Sequence, residues 1–174
     1  GFESITGQIN IEFKKPEDMN PTHLNFYGDH LWRVEGNTYG SYQLDSKLST
    51  MMLLHASTHQ MYHDLNNDGF IDHPESSQLN FMNRWKYQGE THESVTFVNA
   101  VYEDRKAGQK EFLFDNNKNF YGMDIKTTRI NLSTKNGFII DDESSIGTIL
   151  SFTHHKQNSF YGKNIFDAQQ NSFY

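Results

Sequence analysis

Asp64-Leu65-Asn66-Asn67-Asp68-Gly69-Phe70-Ile71-Asp72-His73-Pro74-Glu75 is the stretch on which the reading of this chain turns. It places Asp, Asn or Glu oxygens at its first, third, fifth, ninth and twelfth positions, with glycine at the sixth. A calcium ion takes six to eight hard oxygen ligands, and a twelve-residue loop wraps it when alternate side chains point inward. Asp64, Asn66 and Asp68 would supply the first oxygens, Phe70 its backbone carbonyl, Asp72 a direct or water-borne contact, and Glu75 both carboxylate oxygens. Gly69 stands where the chain must turn into a backbone region that other residues enter at a cost. Four carboxylates so close together repel one another, which a bound cation would relieve.

The flanks are expected to be helical. Asp45 or Ser46 could cap a helix running through Met52, Leu53 and Leu54 to His63. A second would follow Asp72 and carry Leu79, Met82 and Trp85, with Asp72 and Glu75 as a capping-box start, Pro74 in the first turn and Gly89 as its stop. In loop and flanks together, roughly Lys47 to Gln88, the chain resembles the EF-hand superfamily. The resemblance implies a Ca2+ site made of Asp64, Asn66, Asp68, Phe70, Asp72 and Glu75. A single loop, with polar residues on the incoming helix, implies a structural clip rather than a sensor.

Outside residues 45–89 the pattern is β-type. Ile5, Ile9, Ile11 and Phe13 are spaced for a strand, and Leu24, Phe26 and Leu31 to Val34 continue it. After Thr91, strands are expected around Val95 to Tyr102, Phe112 to Phe114, Ile125 to Leu132, Phe138 to Ile140 and Ile149 to Phe152. Turns are expected at Ala107-Gly108, Asp115 to Asn117, Lys135 to Gly137 and Ser144 to Gly147. The fold expected is α+β: one domain over residues 1–174, an antiparallel sheet or small barrel-like meander with a helix-loop-helix inserted at 45–89. An echo, Asn25-Phe26-Tyr27-Gly28, Asn119-Phe120-Tyr121-Gly122 and Ser159-Phe160-Tyr161-Gly162, reads as a recurrent turn with an aromatic anchor.

Composition narrows the functional classes. Only 35% of residues are apolar and mean hydropathy is -0.77, yet 14% are aromatic, which suits a folded chain. A net charge of -7 argues against nucleic acid or an anionic membrane as the main partner. The absence of cysteine removes disulfides and thiol chemistry. No run of 18 apolar residues occurs, so no transmembrane segment is expected. Gly1 suggests a trimmed start, compatible with a removed signal peptide and a secreted, periplasmic or cell-surface location.

His55, His59 and His63 recur every four residues and form a candidate second metal site. Tyr27, Trp32, Tyr39, Tyr121 and Tyr161 near turns could present aromatics to a protein, glycan or small ligand. No nucleophile elbow or phosphate loop is present, so no catalytic residue is assigned and the balance falls against an enzyme. The expectation is a calcium-binding extracytoplasmic domain whose loop fixes a β-rich binding module. A secreted hydrolase stabilised by calcium and a His-rich transition-metal binder are the alternatives.

Overall fold

A computed structural model describes residues 22–115 and 119–174. Eight strands follow one another in a single antiparallel sheet whose spatial order is the chain order. They are β1 Thr22–Gly28, β2 Arg33–Gln43, β3 Leu48–His59, β4 Glu75–Gln88, β5 His92–Gly108, β6 Gly122–Ile139, β7 Ser145–Tyr161 and β8 Asn164–Phe173, with a six-residue helix, α1 Lys110–Asp115, before β6. The strand expected from Ile5 to Phe13 lies outside the described residues.

The fold is therefore all-β, and the expected helix-loop-helix is absent. Both flanks of the Asp64–Glu75 loop are strands: β3 replaces the incoming helix, β4 the outgoing one, and the two pair from Leu48↔Tyr87 to His59↔Ser76. An EF-hand needs a helix on each side, so the resemblance fails at the level of fold. The reason is in the side chains. Leu79, Phe81, Trp85 and Tyr87 fall on one face of a strand at even spacing, opposite Thr50, Thr96 and Tyr102 on the flanking strands, a set that favours a pleated surface. Thr50, Thr58 and four serines do the same in β3 and β4 against helix formation.

Two smaller readings also change. Phe112 to Phe114 belong to α1, where the amides of Phe112 and Leu113 both reach back to the Gln109 carbonyl. Lys135 to Gly137 is not a turn but runs inside β6, opposite Glu93 to Val95. The strands expected at Val95–Tyr102, Ile125–Leu132 and Ile149–Phe152 are found within β5, β6 and β7.

Directly paired residues share a face, so the registers sort every side chain into two sets. One set carries the buried residues of the strands: Met51, Met82, Ser41, Ser49, His59 and Ser159. The outer face carries rows such as Met52–Asn83–Val98–Leu132–Phe152–Phe173 and Leu54–Phe81–Ala100–Ile130–His154. Its apolar members stand in the open: Leu132 is 45% exposed, Leu79 47% and Phe26 73%. Apart from α1, whose Phe112 stacks on Phe160 at one end, no second layer of described residues covers them, whereas an antiparallel sheet in water buries one face against something.

The two ends of the sheet differ as well. Short turns at 44–47, 89–91 and 140–144 close one end. The longer segment 60–74 and the α1 connection, described over 109–115 and 119–121, lie at the other, along with the tight turns 29–32 and 162–163.

Candidate functional site

The acidic loop sits at the long-segment end. Asp64 is its hub. The Asp64 Oδ1 accepts from the Asp68 amide at 3.1 Å and its Oδ2 from the Gly69 amide at 3.1 Å. Asp68 Oδ1 accepts from the Phe70 amide at 2.8 Å, and Asp72 Oδ2 from the Leu65 amide at 2.7 Å. Gly69 has φ 87° and Asn67 φ 57°, so the glycine and the asparagine occupy the left-handed positions that suit them.

The knot is anchored sideways. Ile71 donates its amide to the Gly108 carbonyl, and the Lys110 amide donates to the Gly69 carbonyl, both at 3.0 Å. The Lys110 ammonium lies 2.5 Å from Asp64 Oδ2, and the Asp64 side chain is only 1% exposed. That ammonium, aided by the Gly69 and Asp68 amides, holds the Asp64 carboxyl below its ordinary value of 3.8 against the opposing effect of burial. The ion pair is thus present above the ordinary carboxylate range and is lost as pH falls below it.

Glu75 does not join the knot in this arrangement. It opens β4 opposite Lys106 and accepts from the Tyr62 hydroxyl at 3.4 Å, beside Gln60, Ser77 and Asp104. Burial, and then the Glu75 charge, push the Tyr62 phenol up.

The three histidines do not converge. His55 lies along β3, with its Nδ1 2.6 Å from Asn37 Oδ1. His59, 6% exposed, stacks 6.1 Å from His63 and has Nδ1 3.0 Å from the Pro74 carbonyl and Nε2 3.0 Å from the Leu31 carbonyl. Two carbonyls facing one imidazole make it a bridge between the β1–β2 turn and the acidic loop. A neutral ring donates to one of them, an imidazolium to both. Among the described residues no three His, Asp or Glu side chains stand together as a ready-made metal cage.

No family model, curated protein or solved structure matches this chain. Its function has to be read from its own surfaces.

The outer face is the surface that sequence reading missed. Every Asp, Glu, Lys and Arg that the strands place on it lies near the long-segment end: Glu75, Asp104, Lys106, Asp124, Lys126, Lys156 and Asp167. Below that row, the outer positions of 79–87, 92–102, 128–138 and 146–154 carry no such charge. Tyr42, Trp85, Tyr87, His92 and Phe138 border the band at the short-turn end, with the His92 and Phe138 rings stacked 4.7 Å apart. The polar side chains inside the band pair off among themselves. Thr96 and Thr134 hydroxyls meet at 2.9 Å, His154 meets Asn171 at 2.7 Å, and Asn83 donates to Thr50 and to the Met51 carbonyl. The signal was available in the sequence as a period of two, obscured because polar inner residues such as Asn131, Ser133 and Arg129 alternate with Ile130 and Leu132.

Of the aromatics singled out from the sequence, Trp32 is 66% and Tyr121 59% exposed, both at the long-segment end. Trp32 holds φ 63° in the β1–β2 turn, where the Asp29 carboxylate accepts from the Leu31 and Arg33 amides.

Proposed function

We propose that these eight strands are a section of the wall of a transmembrane β-barrel, outer face against lipid and inner face toward an aqueous lumen. The observation that carries the reading is the length of the charge-free band. Its runs of nine to eleven residues match the about nine to eleven that a tilted strand needs to cross hydrocarbon. Alternation of mostly apolar outer and polar inner residues in β4, β6 and β7, an aromatic border, short turns at one end and longer segments at the other all belong to the same pattern. No described helix is long and apolar enough to cross a membrane, a statement that concerns helices and leaves strands aside.

An unpaired strand edge is untenable in hydrocarbon. β1 and β8 do not pair with each other, so closing the wall takes strands beyond these eight. The extracytoplasmic setting expected from the sequence becomes, on this reading, an outer-membrane one.

Because the chain has no cysteine, single-cysteine variants can be labelled one by one. An environment-sensitive fluorophore at Ile130→Cys and Leu132→Cys should be blue-shifted and quenched by brominated lipid in vesicles. The same label at Asn131→Cys and Ser133→Cys should respond to aqueous iodide instead. Equal iodide quenching at all four positions would exclude the membrane wall.

A second proposal concerns the acidic loop, which would face the outside at the long-segment end. Asp64, Asn66, Asp68, Asp72 and the Phe70 carbonyl offer hard oxygens suited to Ca2+, and the Lys110 ammonium against Asp64 supports the idea that the loop takes a positive charge. This is a strand-flanked turn, not an EF-hand. Millimolar calcium should raise the melting temperature of the parent and leave Asp68→Asn unchanged. Lys110→Met, which removes the competing ammonium, should bind calcium more tightly than the parent. A parent that melts identically in calcium and in chelator would end the proposal.

A further inference from the structure

The inner face of β6, β7 and β8 holds a cluster that neither the loop nor the lipid-facing band uses. Arg129 pairs directly with His155, and His155 with Gln170, giving a row of guanidinium, imidazole and amide across three strands. The next row toward the short turns is Asn131, Thr153 and Ser172. Arg129, Thr153, His155, Gln170 and Ser172 line one shallow cavity of about 280 Å³.

This lining is rich in hydrogen-bond donors and contains no carboxylate. The nearest inner-face acid toward Arg129 is Glu103, diagonally across β5, and it is already ion-paired with Arg105. No salt bridge engages Arg129 among the described residues, and Asn131 donates to the Thr153 hydroxyl at 2.6 Å, fixing that side chain in the cavity wall. The chain as a whole carries a net charge of -7, so a cation without a carboxylate partner on the inner face stands against the general balance.

We infer that this cavity binds an anionic oxygen-bearing group, a carboxylate or a phosphate. Arg129 presents the planar fork that matches two such oxygens at once, and uncommitted cations on a concave surface concentrate anions near it. His155 and Gln170 flank the fork on the neighbouring strands, with the Ser172 and Thr153 hydroxyls one row below. The site rests on the inner face alone and not on what covers the outer one.

The test is isothermal titration of the full chain in detergent, with inorganic phosphate and with citrate as separate probes. One saturable site is expected for at least one probe, and which of them binds more tightly assigns phosphate or carboxylate chemistry. Arg129→Gln should weaken that binding at least about tenfold, as loss of a bidentate charge-assisted contact does. Gln170→Ala should weaken it less, and Lys106→Gln, on the outer face, should leave it unchanged. Arg129 is exposed, so its substitution leaves the sheet intact, which circular dichroism verifies. No saturable heat for either probe, or equal binding by Arg129→Gln and Lys106→Gln, overturns the inference.

Discussion

Leu132→Arg should cost about 2–4 kcal/mol of stability when the protein is refolded into lipid vesicles, the range for a cation forced onto the lipid face near the bilayer midplane. Leu132 sits near the middle of the charge-free run of β6, in the row of Val98 and Phe152 on either side. Its side chain has nowhere to turn, because the neighbouring positions on both strands are apolar. The control is one residue away. Ser133→Arg points to the inner face, where its side chain makes no hydrogen bond among the described residues, and should change stability by less than about 0.5 kcal/mol, as a substitution away from special contacts does. Denaturant titrations of the two variants in the same vesicles separate the faces. Equal costs would mean that the sheet does not distinguish lipid from water.

The second large effect is expected at Gly122. A methyl group built there would lie 2.1–2.4 Å from the ring of Phe112, closer than any real contact permits. Phe112 is 5% exposed and stacks on Phe160 with centroids 5.7 Å apart, which is how α1 is held to the sheet. Gly122→Ala therefore expels the ring, at a cost of about 1–3 kcal/mol for an overpacked contact. The damage should be local, since α1 carries Lys110. Loss of the Lys110–Asp64 ion pair should accompany it, visible as faster amide exchange at Asp68 and Gly69 while the strands stay protected. Unchanged exchange in the loop would separate α1 from the acidic knot.

The β-rich character was legible because aromatic and β-branched runs recur after Thr91 between turn residues, and three of those runs are strands. The region 45–89 misled for a physical reason. A spacing of four residues, as in His55 and His59, lands on one face of a helix and on one face of a strand alike. Leu79, Met82 and Trp85 are spaced as a helix face, yet Met82 lies inside the sheet and the other two outside. The strongest local signal, the oxygen spacing of Asp64 to Asp72, specifies the loop and says nothing of its neighbours. A tight turn over Asp64 to Asp72 was legible in the residues themselves, and the calcium read from the same spacing stays a proposal. Lys110 and the outward turn of Glu75 depend on a strand pairing 30 or more residues away, which no local pattern encodes. The outer face stayed hidden because the strands interleave polar and apolar residues, so average hydropathy remains low.

Strand order equal to chain order has one more consequence, for how such a sheet is made. Among these eight strands each finds its partner in the segment just synthesised, and no pairing between them waits for a distant part of the chain. Assembly can proceed hairpin by hairpin, every new ribbon templating on the last, with the growing edge always the most recent one. A chain built this way needs no finished interior before it begins to settle. It needs only a surface that will accept its greasy side one ribbon at a time.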